Sequence, residues 1–97
     1  MADVLVLEFS DERALDLYNR VNGHLGLVDG SGDWPDGLLS HVAGLDGSDL
    51  FVVEVWESKG AQEQFMNSRL GPAFQASNAP PPKRVSWFPE INSYRRG

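Results

Sequence analysis

The chain of 97 residues contains no cysteine. A disulfide framework, a cysteine-bearing zinc site and a thiolate nucleophile are therefore excluded. Cations are scarce too: eight Lys plus Arg stand against fourteen Asp plus Glu, for a net charge of -6. Phosphate-backbone binding draws its affinity from cationic neutralisation, so no nucleic acid and no membrane surface is expected as a partner. The tail pair Arg95-Arg96 is too short to count as a basic patch. The two histidines, His24 and His41, lie at no metal-ligand spacing, and no metal site is expected. Long hydrophobic runs are missing as well. The run from Val4 to Leu7 is far too short for a leader or a membrane span, and Asp3 stands where a leader needs positive charge, so a cytoplasmic protein is expected. No Gly-x-Ser-x-Gly elbow occurs, and "DGSGD" adds negative charge where a phosphate cradle needs the opposite.

What is present fits a single domain over residues 1–97. A chain this short buries only roughly 60 to 65% of its unfolded surface, so association is an expected source of extra stability.

Residues 3–9, "DVLVLEF", are apolar with little alternation, which predicts a strand covered on both faces. "SDERALDLYNRVNGHLG" switches to helical period. Ser10 is the expected N-cap, Asp11 and Glu12 suit the positive end of the dipole, and Ala14, Leu17, Val21 and Leu25 share a face. Gly23 or Gly26 would end this helix. Residues 27–37, "LVDGSGDWPDG", read as a loop of about eleven residues. "LLSHVAG" and "DLFVVEVWE", joined around Leu45 to Ser48, predict a β-hairpin. Ser58 then caps a second helix through Ala61, Phe65, Met66 and Leu70, which Gly71-Pro72 breaks or kinks before "AFQAS". "NAPPPK" is a stiff connection, and "RVSWFPEINSYRR" is a last strand interrupted at Pro89.

The order β-α-β-β-α-β predicts a ferredoxin-like α+β fold: a four-stranded antiparallel sheet with two helices on one face. Strands one and three are apolar on both faces, with Val4 and Val6 opposing Leu5 and Leu7, and Phe51, Val53 and Val55 opposing Leu50, Val52 and Trp56. Two helices cover only one face. The other predicts a face-to-face homodimer.

"LLSHVAG" followed by "VVEVWESKGAQEQFMNSRLGPAF" resembles the dimeric α+β barrel superfamily, and within it small bacterial proteins similar to antibiotic biosynthesis monooxygenases. The resemblance runs from the first strand to the last. Its most specific part is Val53-x-x-Trp56-Glu57-Ser58 leading into a helix with Phe65. It implies a pocket for an apolar or aromatic small molecule between sheet and helices, and oxidation of a quinol-like substrate by dioxygen without metal or other cofactor. Quinone-forming members carry an Asn four positions before the tryptophan and a polar aromatic in the next helix turn. This chain has Val52 and Gln62 there.

With the hairpin drawn around Leu45 to Ser48, His41 is expected across from Val52, and Leu39, His41, Leu50, Val52, Glu54 and Trp56 on one face. Tyr18, Asn22 and Phe65 would complete a pocket there. An imidazole beside a carboxylate in an apolar cleft suits deprotonation of a phenol, with His41 as base, Glu54 as orienting partner and Trp56 as ring platform. Trp34-Pro35 would form a lid or pack at a dimer edge. Each residue also has a plain structural reading: His41 as a hydrogen-bonded core histidine, Glu54 as a salt-bridge partner, Trp56 as core packing. Arg69 and Asn67 read as solvated helix residues. Three functions stay open: a cofactor-independent oxygenase or related cyclase or isomerase, a binding protein for an apolar metabolite, and a structural dimerisation domain. An RNA-recognition domain of the same element order would carry a basic aromatic strand motif that is missing here.

Overall fold

Continuous apolar runs fold as strands and apolar residues at helical period fold as helices, as that patterning dictates. The computed structural model describes residues 2–28 and 31–94. Asp29 and Gly30 of the expected loop and the tail pair Arg95-Arg96 lie outside them. In chain order the elements are β1 (Asp3–Ser10), α1 (Ala14–Leu25), β2 (Leu27–Val28), β3 (Ser31–Gly32), β4 (Leu38–Asp46), β5 (Asp49–Trp56), α2 (Lys59–Phe65), a π-helical turn (Met66–Leu70), α3 (Gly71–Ser77) and β6 (Arg84–Pro89). The four long strands form an antiparallel sheet in the order β4-β5-β1-β6, so the two most apolar strands are central. Leu5, Leu50, Val52 and Trp56 are buried on one face beneath Ala14, Leu17, Val21, Leu25, Phe65 and Ala73 of the helices. This is the ferredoxin-like α+β arrangement. Among the described residues no helix is long and apolar enough to cross a membrane.

Four local expectations are corrected. Ser10 does not cap α1, because it stays in β1 opposite Asp49 and gives its hydroxyl proton to the Asp49 carboxylate at 2.9 Å. The helix begins at Ala14 without a side-chain cap, after a turn in which the Asp11 carbonyl accepts from Ala14 N–H at 2.9 Å and its carboxylate from Arg13 N–H at 2.7 Å. Gly26, with φ 74°, ends α1 in the left-handed conformation that glycine adopts without steric cost.

The hairpin turn is tighter than expected. Asp46 pairs with Asp49, leaving Gly47 (φ 62°) and Ser48 as a two-residue loop. His41 therefore stands opposite Glu54 rather than Val52. The shift is by two residues, which preserves the face because side chains alternate with period two.

The expected loop contains the short β2-β3 ladder. Finally, Gly71-Pro72 does not break the second helix. Proline offers no N–H to the preceding turn, and the chain widens there so that Gly71 N–H reaches the Met66 carbonyl. A Cβ at Gly71 would lie 3.0 Å from that oxygen, so glycine gives the turn its room.

Candidate functional site

The site is built where β4 meets β5 beneath α1. β4 carries a bulge at Leu39: Leu38 stands opposite Trp56, and the next paired residue is Ser40 opposite Val55. Leu38 and His41 thereby both face the helices, whereas Leu39, expected in the pocket wall, is 45% exposed.

His41 and Glu54 are cross-strand neighbours, and His41 Nδ1 lies 2.7 Å from Glu54 Oε2. Trp56, two residues along the same face, donates its indole N–H to Glu54 Oε1 at 3.0 Å. Tyr18 descends from α1 to place its hydroxyl 2.6 Å from His41 Nε2. The four side chains form one hydrogen-bonded series, Tyr18–His41–Glu54–Trp56. His41 and Glu54 are only 15% and 12% exposed, and a carboxylate that far from water is costly unless its oxygens are satisfied. Here both are. The series also orders the protons. An ionised Glu54 only accepts, so Nδ1 carries the hydrogen and a neutral imidazole presents Nε2 as an acceptor to the Tyr18 O–H. The Trp34 ring lies 5.0 Å from the imidazole, centroid to centroid, tilted by 50°.

An apolar cleft opens beside the series. Leu7, Phe9, Leu50, Val52, Phe65 and Phe74 wall it, and Tyr18, Asn22, His41 and Glu54 are gathered into it as polar groups. Asp11 is the further carboxylate in its lining, and among the described residues no Lys or Arg lines it. The backbone N–H and guanidinium of Arg13 hold the Asp11 carboxyl below the usual carboxylate range, so it carries its charge at neutral pH. The cleft has a cavity volume of about 80 Å³, and the non-atom space within and over it, open solvent included, is about 770 Å³. Tyr18, Asn22, Trp34 and His41 also wall an open depression over α1 and the edge strand β4. The hydrogen-bonded series thus stands between an apolar interior and a wetter exterior.

The structure brings His41, Glu54, Tyr18, Asn22, Phe65 and Trp34 together around the cleft. Trp56 is the exception and a correction. It is 0% exposed and absent from the cleft wall, because α2 packs over its ring, with Phe65 at 5.9 Å. Its role at the site is to hold Glu54. Val52 walls the cleft, and Gln62 is buried, at 8% exposure.

Arg69 is a second correction. Rather than standing in solvent, its guanidinium donates to the carbonyls of Leu25 at 3.0 Å and Asp33 at 2.8 Å, and pairs with the Asp33 carboxylate at 3.3 Å. It also lies over the Phe65 ring at 5.4 Å. This strap fixes the loop that delivers Trp34. Sequence reasoning missed it because its acceptors are mostly backbone carbonyls, which no side-chain pattern reveals. Among the described residues no group of three or more His, Cys, Asp or Glu side chains is placed to hold a metal ion.

No protein-family model and no curated protein sequence matches the chain. Solved structures do. A candidate antibiotic biosynthesis monooxygenase from Chloroflexus aurantiacus J-10-fl superposes over 100% of both chains, with a TM-score of 0.72 and 13% identity. SnoaB, a cofactor-independent oxygenase from Streptomyces nogalater, covers 98% of this chain and 96% of its own, with a TM-score of 0.60 and 12% identity. A dimeric ferredoxin-like protein from an uncultured marine organism covers 99% and 91%, with a TM-score of 0.55 and 13% identity. The chain thus has the ferredoxin-like fold of antibiotic biosynthesis monooxygenase-like structures.

Proposed function

We propose that this single-domain chain binds an uncharged, phenol-like aromatic molecule in its apolar cleft and removes the proton of its hydroxyl, opening a cofactor-independent oxygenation by dioxygen. The observation that carries the reading is the Tyr18–His41–Glu54 series ending in an apolar cleft. His41 is the base that finally holds the proton, Glu54 balances the imidazolium, and Asn22, Phe65 and Trp34 contact the substrate. A phenolate or enolate is electron-rich enough to reduce dioxygen. A ring CH₂ activated in this way takes up one oxygen atom while the other leaves as water (CH₂ + O₂ → C=O + H₂O), so no external reductant enters. The shared fold with a cofactor-independent oxygenase supports the reading.

Titration with a chromogenic phenol, at a pH about two units below its own pKa, is the test. The phenolate absorbance should grow with protein, and a carboxylated analogue of the same shape should bind at least about tenfold more weakly, since it meets Asp11 and Glu54 and, among the described residues, no cation. Binding without any phenolate band would favour the second reading, a metabolite-binding protein without turnover. The apolar Val52 speaks for that alternative, because the resemblance implies an amide there.

The chain also forms a homodimer in this proposal, through the sheet face away from the helices. Register places Val4, Val6, Val42, Phe51, Val53, Val55 and Phe88 on that face. Val42 is 62% exposed and Phe88 47%, more apolar surface than a monomer of this size comfortably shows to water. The dimeric structural neighbour supports this. Val53→Asp, at the middle of the face, should convert a sedimenting dimer into a folded monomer at micromolar concentration. A wild-type chain that sediments as a monomer overturns the dimer.

A further inference from the structure

Gly23 stands inside α1, where glycine suits a helix less than any residue but proline. Its φ is not positive, and Gly26 ends the helix, so the backbone does not require a glycine at this place. Packing does not require one either, because a Cβ built there meets nothing within 4 Å. The missing side chain instead leaves bare backbone in the wall of the depression over α1 and β4, where a ligand can approach closely. We propose that this depression is a second subsite, for an uncharged, hydroxyl-rich, sugar-like group joined to the aromatic ring held in the cleft. The proposal rests on the phenol reading above and deepens it by naming the substrate class.

Small-molecule pockets measure about 300 to 1,000 Å³. The cleft, with its cavity volume of about 80 Å³, falls short of that range, whereas the depression, at about 760 Å³, lies within it. Tyr18, Asn22, Trp34 and His41 line both spaces, so a ligand too large for the cleft extends into the depression.

Among the described residues no Asp, Glu, Lys or Arg lines the depression, and a charged group would find no counter-ion there. Asn19 and Asn22, one turn apart on α1, line it. Each carboxamide offers two N–H donors and an acceptor oxygen, which matches a hydroxyl group that donates and accepts at once. Among the described residues no hydrogen bond engages either carboxamide. Trp34 adds an aromatic wall for the C–H surface of a sugar-like ring. His41 stands at the border of the two spaces. The hydroxyl it serves and the sugar-like group therefore leave the aromatic ring on the same side, as ortho or meta neighbours.

Calorimetric binding of phenol and of 2- and 3-hydroxyphenyl glucoside tests this. At least one glucoside should bind about tenfold more tightly than phenol, the contribution of one or two neutral hydrogen bonds. The matching glucuronide, whose carboxylate lacks a counter-ion, should lose that gain. Two substitutions fall outside the cleft wall. Asn19→Ala should lower glucoside affinity at least about threefold, and Gly23→Leu, which fills the space over α1, at least about tenfold, while both leave phenol affinity within about twofold. Gly23→Leu should also raise the urea midpoint, because leucine suits a helix better than glycine. A more stable protein that has lost the glucoside and kept phenol is a result that a purely structural role for Gly23 does not produce. The proposal is overturned if neither glucoside binds more tightly than phenol, if the glucuronide binds as tightly as the glucoside, or if Gly23→Leu binds the glucoside as wild type does. Ionisation of phenol by wild type then leaves the phenol reading standing. Tight glucoside binding with no phenolate band supports the subsite and sinks the ionisation.

Discussion

Replacing His41 with alanine is expected to leave phenol affinity within about threefold and to lower phenol ionisation, and any turnover that depends on it, by about 10²- to 10⁴-fold. The affinity survives because the walls that would hold a ring, among them Leu7, Phe9, Val52 and Phe74, do not depend on the imidazole. The chemistry does not survive, because His41 is the imidazole of the series and the Glu54 carboxylate at 2.7 Å is what balances its charge. Removal leaves Glu54 Oε2 without its cross-strand partner, and an unsatisfied group that far from water costs about 1 to 3 kcal/mol. Stability must therefore be measured beside activity, by urea denaturation, so that loss of function is not mistaken for loss of fold. Unchanged phenolate formation in the alanine protein would remove His41 from the mechanism.

Trp56→Ala should be the most damaging single substitution to the fold, at about 3 to 5 kcal/mol. The side chain is 0% exposed, and it belongs to the principal core cluster with Leu5, Val21, Leu25, Leu27, Phe65 and Ala73. Domains of this kind have about 5 to 15 kcal/mol in all, so the loss is a large share of the total. The urea midpoint should fall accordingly with little change in slope. Trp56→Phe separates two effects, since it keeps most of the packing but removes the indole N–H from Glu54 Oε1. It should cost less stability while loosening the carboxylate that orients His41. A loss below about 1 kcal/mol for the alanine variant would show that the core collapses around the gap.

The fold was legible because its main signals are local. Val4 to Phe9 and Leu50 to Trp56 read as doubly covered strands, and they are the two central strands of the sheet. Gly26 and Ser58 marked a helix end and a helix start, and both serve in those roles, Ser58 accepting from Ala61 N–H at 3.1 Å. The His41–Glu54 partnership was legible because residues on one face of a hairpin stay on that face under a two-residue error in register. Other features rest on non-local balance. The bulge at Leu39 exchanges Leu39 for Leu38 in the cleft wall, and no residue type at that position announces it. Trp56 read as core packing ahead of platform, and the platform reading stayed open because a strand-end tryptophan pattern does not say how closely a helix will press on it.

The π-helical turn at Met66–Leu70 has one more consequence, and it concerns angular phase. Phe65 and Phe74 are nine positions apart, and at about 100° per residue a regular helix would turn them to opposite sides, about 180° apart. The turn absorbs one residue, so the effective spacing is about eight and the divergence falls to about 80°. That is why both rings wall the same cleft. The extra residue works as a vernier between two helical segments, setting which side chains of α3 face the cleft without changing any of them. Gain or loss of one residue there would re-aim the whole of α3, so the segment's length, more than its chemistry, specifies this wall.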